Sequence, residues 1–287
     1  MLGRMRRPRA LWLAILMIGL LGQSGGSRQN TPSDRSFYLG FDRNDYPGDG
    51  ALQTLRRTFT YTGYWLNNPP GAGANNWKGK RKTLERSGFG FLVLFNGRLY
   101  AELKKVPNAR VLGRSDAARA VAAARAEGFP ASTIIFLDQE QGGRMLPEQR
   151  DYIQAWIDAV SAHGFRAGIY CSGIAAKEDT GAVVTSAEDI FRFIGKRDVT
   201  FWVTNDACPP SPGCAFGKPP SPTASGIRFA SVWQYAQSPK RPDVAFGCPA
   251  NYDPDGSCYA PGFSRAEHMF IDVDTATSAD PSNGRSR

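Results

Sequence analysis

Asp138 and Glu140 stand two residues apart, directly after the apolar run Thr133 to Leu137 and before the open stretch Gln141-Gly142-Gly143. On a strand, residues two apart point to the same side, about 7 Å apart at Cα. Two carboxylates that close raise one pKa, so one keeps its proton near neutral pH while the other stays charged. Glycosidic bond cleavage needs such a pair: an acid for the leaving oxygen, and a carboxylate that stabilises or attacks the sugar cation. An isolated Asp-x-Glu also describes two solvated acids in a loop. The functional reading is favoured by the acids at other strand ends, Asp42 after Phe37 to Phe41 and Asp272 in Met269 to Val273. Glu140 is expected to be the general acid, and Asp138 to position substrate or stabilise the cation. Asp42 and Asp272 are expected to hold the electrostatics of the site and sugar hydroxyls. Retention and inversion both stay open, because they turn on the separation of the carboxyl groups.

Aromatic and amide residues recur at the same strand ends: Tyr170, Trp202, Asn205, Trp233, Gln234 and Tyr235, with Asp274 beyond Asp272. Aromatic faces stack on a pyranose ring and their polar tips reach its hydroxyls. Tyr170, Trp202, Asn205, Gln234, Tyr235 and Asp274 are the expected substrate contacts, although at least half of the aromatics are expected simply to fill the core. Other chemistries lack their residues. Cys171-Ser172-Gly173 is not the Gly-x-Ser-x-Gly elbow of hydrolases. Gly88-Phe89-Gly90 lacks the third glycine of a dinucleotide loop, and no Gly-x-x-x-x-Gly-Lys phosphate loop occurs. Two histidines leave little room for a His-rich metal site, so neither metal nor cofactor is expected.

Eight short apolar runs must position these residues: Phe37–Phe41, Phe59–Trp65, Phe89–Phe95, Thr133–Leu137, Phe165–Tyr170, Val199–Val203, Phe229–Trp233 and Met269–Val273. Several are continuous, as in strands buried on both faces of a parallel sheet. Helical patterns lie between the early ones: Ala51–Thr58, Lys80–Ser87, a helix capped by Ser115 and ending at Gly128, one starting at Pro147, and Ser186–Gly195. His163 falls in the last turn of the Pro147 helix, where the dipole favours a cation over a catalytic role. The later connections are long, rich in Pro and Gly, and show no clean helix. The alternation over about 250 residues predicts an α/β fold of the (β/α)8 TIM-barrel type with irregular late units. A doubly wound open sheet is the runner-up. In a barrel the chemistry lies where strands end.

The chain has 35 Lys and Arg against 26 Asp and Glu, a formal +9. Its first ten residues carry four arginines, Leu11 to Leu21 is apolar apart from Gly19, and Gly22 to Gly26 is mostly small. This reads as a secretory signal over residues 1–26. The 11-residue run is short of the roughly 20 a membrane span needs. Removing 1–26 takes four arginines and no acid, so 31 basic residues face 26 acidic ones, +5. That suits a secreted or periplasmic protein near anionic cell-envelope polymers more than a nucleic-acid binder. The densest basic stretch, Lys78-Gly79-Lys80-Arg81-Lys82, reads as a solvated helix start. A linker follows over 27–36, the barrel over 37–277, and a polar, disordered tail over 278–287. Export favours disulfides. The simplest connectivity is local, Cys208 with Cys214 and Cys248 with Cys258, leaving Cys171 as a buried thiol.

The ordered series resembles the family 25 glycoside hydrolases, lysozyme-type muramidases. It is carried by Asp42, Asp138/Glu140, Gly168-Ile169-Tyr170, Trp202, Trp233-Gln234-Tyr235 and a strand-eight acid that is either Asp272 or Asp274. It is closer still to the related glycoside-hydrolase-like family named domain of unknown function 1906, whose members open like Gly40-Phe41-Asp42. The resemblance spans about Phe37 to Thr277. It implies cleavage of cell-wall glycan, peptidoglycan, with that glycan as the partner. The alternative is a catalytically silent glycan-binding or envelope protein on the same barrel.

Overall fold

The structure, a computed structural model, describes residues 36–248 and 251–286. The expected export signal over 1–26 lies outside them, as does the linker up to Arg35. Every apolar run read from the sequence forms a strand. In chain order these are β1 (Tyr38–Asp42), β2 (Tyr61–Trp65), β3 (Gly90–Asn96), β4 (Ile134–Gln139) and β5 (Arg166–Ser172). A small outlying hairpin of β6 (Ala176–Lys177) and β7 (Val183–Val184) follows, then β8 (Val199–Thr204), β9 (Ala230–Ala236) and β10 (Asp272–Ala276). Eight of them close a barrel in the order β1-β10-β9-β8-β5-β4-β3-β2, which excludes the open sheet.

The last strand departs from the expected pattern. β10 runs antiparallel to both β1 and β9, whereas all other barrel pairs are parallel. Asp272 therefore begins its strand instead of ending it. The reversal is what brings Asp272 opposite Asp42, at the rim where the parallel strands end.

Helices cover the first five connections: α1 (Leu52–Arg56), α2 (Arg81–Arg86), α3 (Tyr100–Leu103) with α4 (Ala109–Ala126), α5 (Pro147–Ala162) and α6 (Ser186–Ile194). α5 starts at Pro147 and buries Ile153, Trp156, Ile157 and Val160 against the barrel. His163 ends it, one ring nitrogen 2.6 Å from the Ala159 carbonyl. α4 begins six residues before the expected cap at Ser115, because the Asn108 side chain accepts from the backbone N–H groups of Arg110 and Val111. Gly113 sits inside this helix where any Cβ would strike the Tyr152 carbonyl of α5, so a residue that normally weakens helices here permits close packing. After β8 the connections are irregular, as anticipated.

Two staples differ from the expectation. Cys208 pairs with Cys248, and Cys214 with Cys258. The two late loops lie side by side, so each cysteine finds its partner on the other loop and the bridges tie loop to loop. Cys171 is a buried free thiol, and burial raises it well beyond physiological pH.

The tail is not disordered. The Ser282 backbone N–H donates to Phe91 O and its carbonyl accepts from Ile134 N, both at 2.8 Å. Its hydroxyl accepts from Val93 N, and Asp280 accepts from Phe91 N. The strand starts of β3 and β4 carry unused backbone groups at the closed end of the barrel, and the polar tail satisfies them. Arg81, expected to be solvated, is buried there and donates to the Gly284 carbonyl at 2.8 Å.

Candidate active site

The barrel interior is filled from below and left open above. Trp202 of β8 is fully buried, with Tyr170 of β5 at 4.7 Å and Phe136 of β4 at 5.8 Å between ring centroids. These aromatics form a floor. Asp138, Tyr170 and Trp202 lie at one level across three neighbouring strands, because β4, β5 and β8 pair in that register. Glycines make the room. A Cβ on Gly63 of β2 would come within 2.8 Å of the Asp42 Cβ, so only glycine there lets the Asp42 side chain turn into the barrel.

A cavity of about 150 Å³ opens at the strand ends, and Asp42, Asp138, Glu140, Tyr170, Trp202, Gln234 and Asp272 all line it. The four acids read from the sequence thus share one cleft. Gln234 is the hub of its polar wall. Its amide donates to Asp42 at 2.8 Å and to Asp272 at 3.4 Å. Its carbonyl accepts from the Tyr170 hydroxyl at 2.7 Å and from Gln237 at 2.9 Å. Asp272 also accepts from the Ser238 backbone N–H at 2.6 Å.

Burial dominates the electrostatics. It pushes Asp42 up from its ordinary 3.8 to about 6, against the lowering effect of the Gln234 hydrogen bond. Asp138 is raised well above the usual range by burial, then by the charges of Glu140 and Asp42. One Asp138 oxygen is enclosed and has no hydrogen-bond partner. Asp272 and Asp274 are raised by burial and by the charge of Asp42. Glu140 stands just past the end of β4 as an exposed residue, yet its carboxyl loses enough water to be raised above 4.5. Burial thus raises both carboxyls, Asp138 the more strongly, and a pair of carboxyls at one cleft is the arrangement that acid-assisted cleavage of a glycosidic bond requires. Among the described residues, no group of three or more His, Cys, Asp or Glu side chains is arranged to hold a metal ion.

Three expected contacts lie elsewhere. Tyr235 does not line the cleft: it alternates with Gln234 and points out of the barrel, donating to the Ala215 carbonyl at 2.6 Å. Asn205 is buried and braces the loop after β8, donating to Ser225 O at 2.7 Å and accepting from Ala207 N. Asp274 lies one layer below the cleft, opposite Gly40, and accepts from the Trp202 indole at 3.1 Å. Asp272, two residues earlier and on the same face, is the one at the cavity. The structure adds Trp65, Leu94, Asn44 and Gln237 to the lining. Trp65 ends a strand run already visible in the sequence. Gln237 is hidden because β9 runs three residues beyond the apolar run that marks it.

The model of the Rv2525c-like, glycoside hydrolase-like domain matches residues 60–207, just over half of the chain. No curated protein sequence matches. Among solved structures, an uncharacterized B. stearothermophilus protein superposes with a TM-score of 0.50 at 19% identity, covering 83% of this chain and 95% of its own. The Mycobacterium tuberculosis Tat-secreted protein Rv2525c gives 0.47 at 14% identity, over 84% and 95%. The catalytic domain of endolysin ply40 from bacteriophage P40 of Listeria monocytogenes gives 0.46 at 17% identity, over 86% and 96%.

Proposed function

The chain belongs to the Rv2525c-like, glycoside hydrolase-like family, and on that premise we propose that it is an exported hydrolase of cell-wall glycan, acting on peptidoglycan by carboxylate acid–base catalysis. The observation that carries this reading is the convergence of Asp42, Asp138, Glu140 and Asp272 on one small cleft. Glu140 at the mouth reaches the glycosidic oxygen and delivers its proton as the bond breaks. A sugar cation developing above Asp138 brings the positive charge that the floor lacks. As Asp138 gives its proton to water, its carboxylate stabilises the cation; a water molecule then adds to the sugar, and the proton that water loses restores Glu140. Gln234 donates to both Asp42 and Asp272 and so fixes the orientation of the two carboxyls at the cleft. Tyr170 and Trp202 set the floor against which the ring rests. Two disulfides fit an oxidising compartment outside the cytoplasm. Among the described residues, no helix is long and apolar enough to cross a membrane.

Reducing-end release from purified peptidoglycan tests the proposal. Glu140→Gln keeps shape and hydrogen-bonding capacity but has no proton to give. It is expected to lower kcat by about 10²–10⁴, with thermal unfolding unchanged within a few degrees. Activity equal to the unsubstituted protein overturns the assignment of Glu140. Retention on cell wall without any product from either form supports the silent glycan binder instead.

A further inference from the structure

A second, larger groove begins where the cleft ends. It has a volume of about 780 Å³ and shares two residues with the catalytic cavity, Glu140 and Pro70. From there it runs over the ends of β2 and β3 towards α4, away from Asp42 and Asp272. Resting on the hydrolase reading above, we infer that this groove holds the leaving-group half of the substrate, a run of neutral hexosamine units extending to the reducing end.

Two observations set the direction and the chemistry. The general acid protonates the oxygen that departs with the leaving group, so the leaving group must lie on the Glu140 side of the cleavage point. This groove continues from that side, with Glu140 in its lining. Its volume falls in the range that takes ligands of about drug size, about 300–1,000 Å³, the size of a disaccharide.

The wall is built of amides. Asn67 uses both ends of its side chain on the backbone of Asn96, accepting from N at 2.7 Å and donating to O at 3.0 Å. Asn96 donates to Asn68 O, and Asn68 to Gly73 O. Each of these bonds uses one of the two hydrogens of its amide, and together they fix the loop after β2 to the end of β3. The side-chain carbonyls of Asn68 and Asn96 accept no hydrogen bond among the described residues, which suits donors such as sugar hydroxyls and acetamido N–H groups. Three cations and three acids line the groove: Lys78, which makes no ion pair among the described residues, Arg98 and Arg119, against Glu102, Glu127 and Glu140. Arg98 binds Asp116 at 2.8 Å and Glu102 at 3.1 Å, and Arg119 binds Asp116 at 2.9 Å. With these acids in place, the groove suits neutral sugars better than a polyanion.

A ladder of β-1,4-linked N-acetylhexosamine oligosaccharides, lengthened stepwise at the reducing end, tests the inference. Cleavage is measured with the unsubstituted protein, and binding with Glu140→Gln, so that affinity is read without turnover. Each of the first two added units is expected to raise kcat/KM and affinity about tenfold, equivalent to about 1.4 kcal/mol. Asn68→Trp, at an exposed position, fills the groove and is expected to collapse the long-to-short ratio at least tenfold. Leu99→Trp, also exposed, does the same from the opposite strand end and guards against a folding defect at one site. Cleavage that ignores length, or a ratio unmoved by both tryptophans, overturns the groove assignment and leaves the hydrolase reading standing. Length-dependent binding without any cleavage leaves the groove standing and sinks the hydrolase reading. A ladder that binds only when it carries peptide carboxylates overturns the assignment to neutral sugar.

Discussion

Asp42→Asn is expected to stabilise the fold while removing a group placed at the reaction. Burial moves the Asp42 carboxyl from its ordinary 3.8 to about 6. A carboxyl whose folded pKa lies above its unfolded value binds its proton more tightly in the native state. The stability it contributes is whole below about pH 4, and is lost as the pH rises through about 6. The interval of about two pH units, at 1.36 kcal/mol each, amounts to about 3 kcal/mol at neutral pH and above. Asparagine keeps an oxygen for the Gln234 amide, now 2.8 Å from Asp42, and carries no charge to strip of water. Thermal unfolding at pH 4 and pH 8 is the assay. The variant is expected to melt about 6–12 °C higher at pH 8, taking 2–4 °C per kcal/mol for a domain of this size, and at an unchanged temperature at pH 4. A gain of equal size at both pH values, or a loss at pH 8, refutes the argument from desolvation.

Truncation after Thr277 removes the partners of four strand groups, Phe91 N, Phe91 O, Val93 N and Ile134 N. At about 1 kcal/mol each, the loss is about 4 kcal/mol, read by chemical denaturation, and an unchanged midpoint counts against the tail as a structural part. Peptide mapping without reduction is expected to recover the cross-links 208–248 and 214–258 and neither local pair. Replacing Cys214 and Cys258 by serine opens a closure of 44 residues and is expected to cost about 4 kcal/mol of stability.

The eight strands and their alternation with helices were legible because burial of both strand faces writes itself as continuous apolar runs. The rim acids were legible only as a set, since a lone Asp-x-Glu reads equally as solvated loop residues whereas acids recurring at several strand ends share one rim. Tyr235 shows where this reasoning stops: the parity of β9 turns Gln234 in and Tyr235 out, and parity follows from which residues actually pair. The local disulfide pairing failed because proximity in sequence is no guide when two long loops cross. The tail misled because polar composition cannot tell a solvated end from one that completes a ladder.

Residue chemistry alone therefore determined the alternation of strands and helices and the acids that gather at the strand ends, since periodicity and residue type are properties of the chain itself. Only the tertiary structure decided that β10 runs backwards, that Asp272 meets Asp42 at the rim while Asp274 sinks beneath it, and that Gln234 joins the two upper carboxylates. Strand direction and register are set by closure of the whole barrel, a condition that no local stretch of sequence contains.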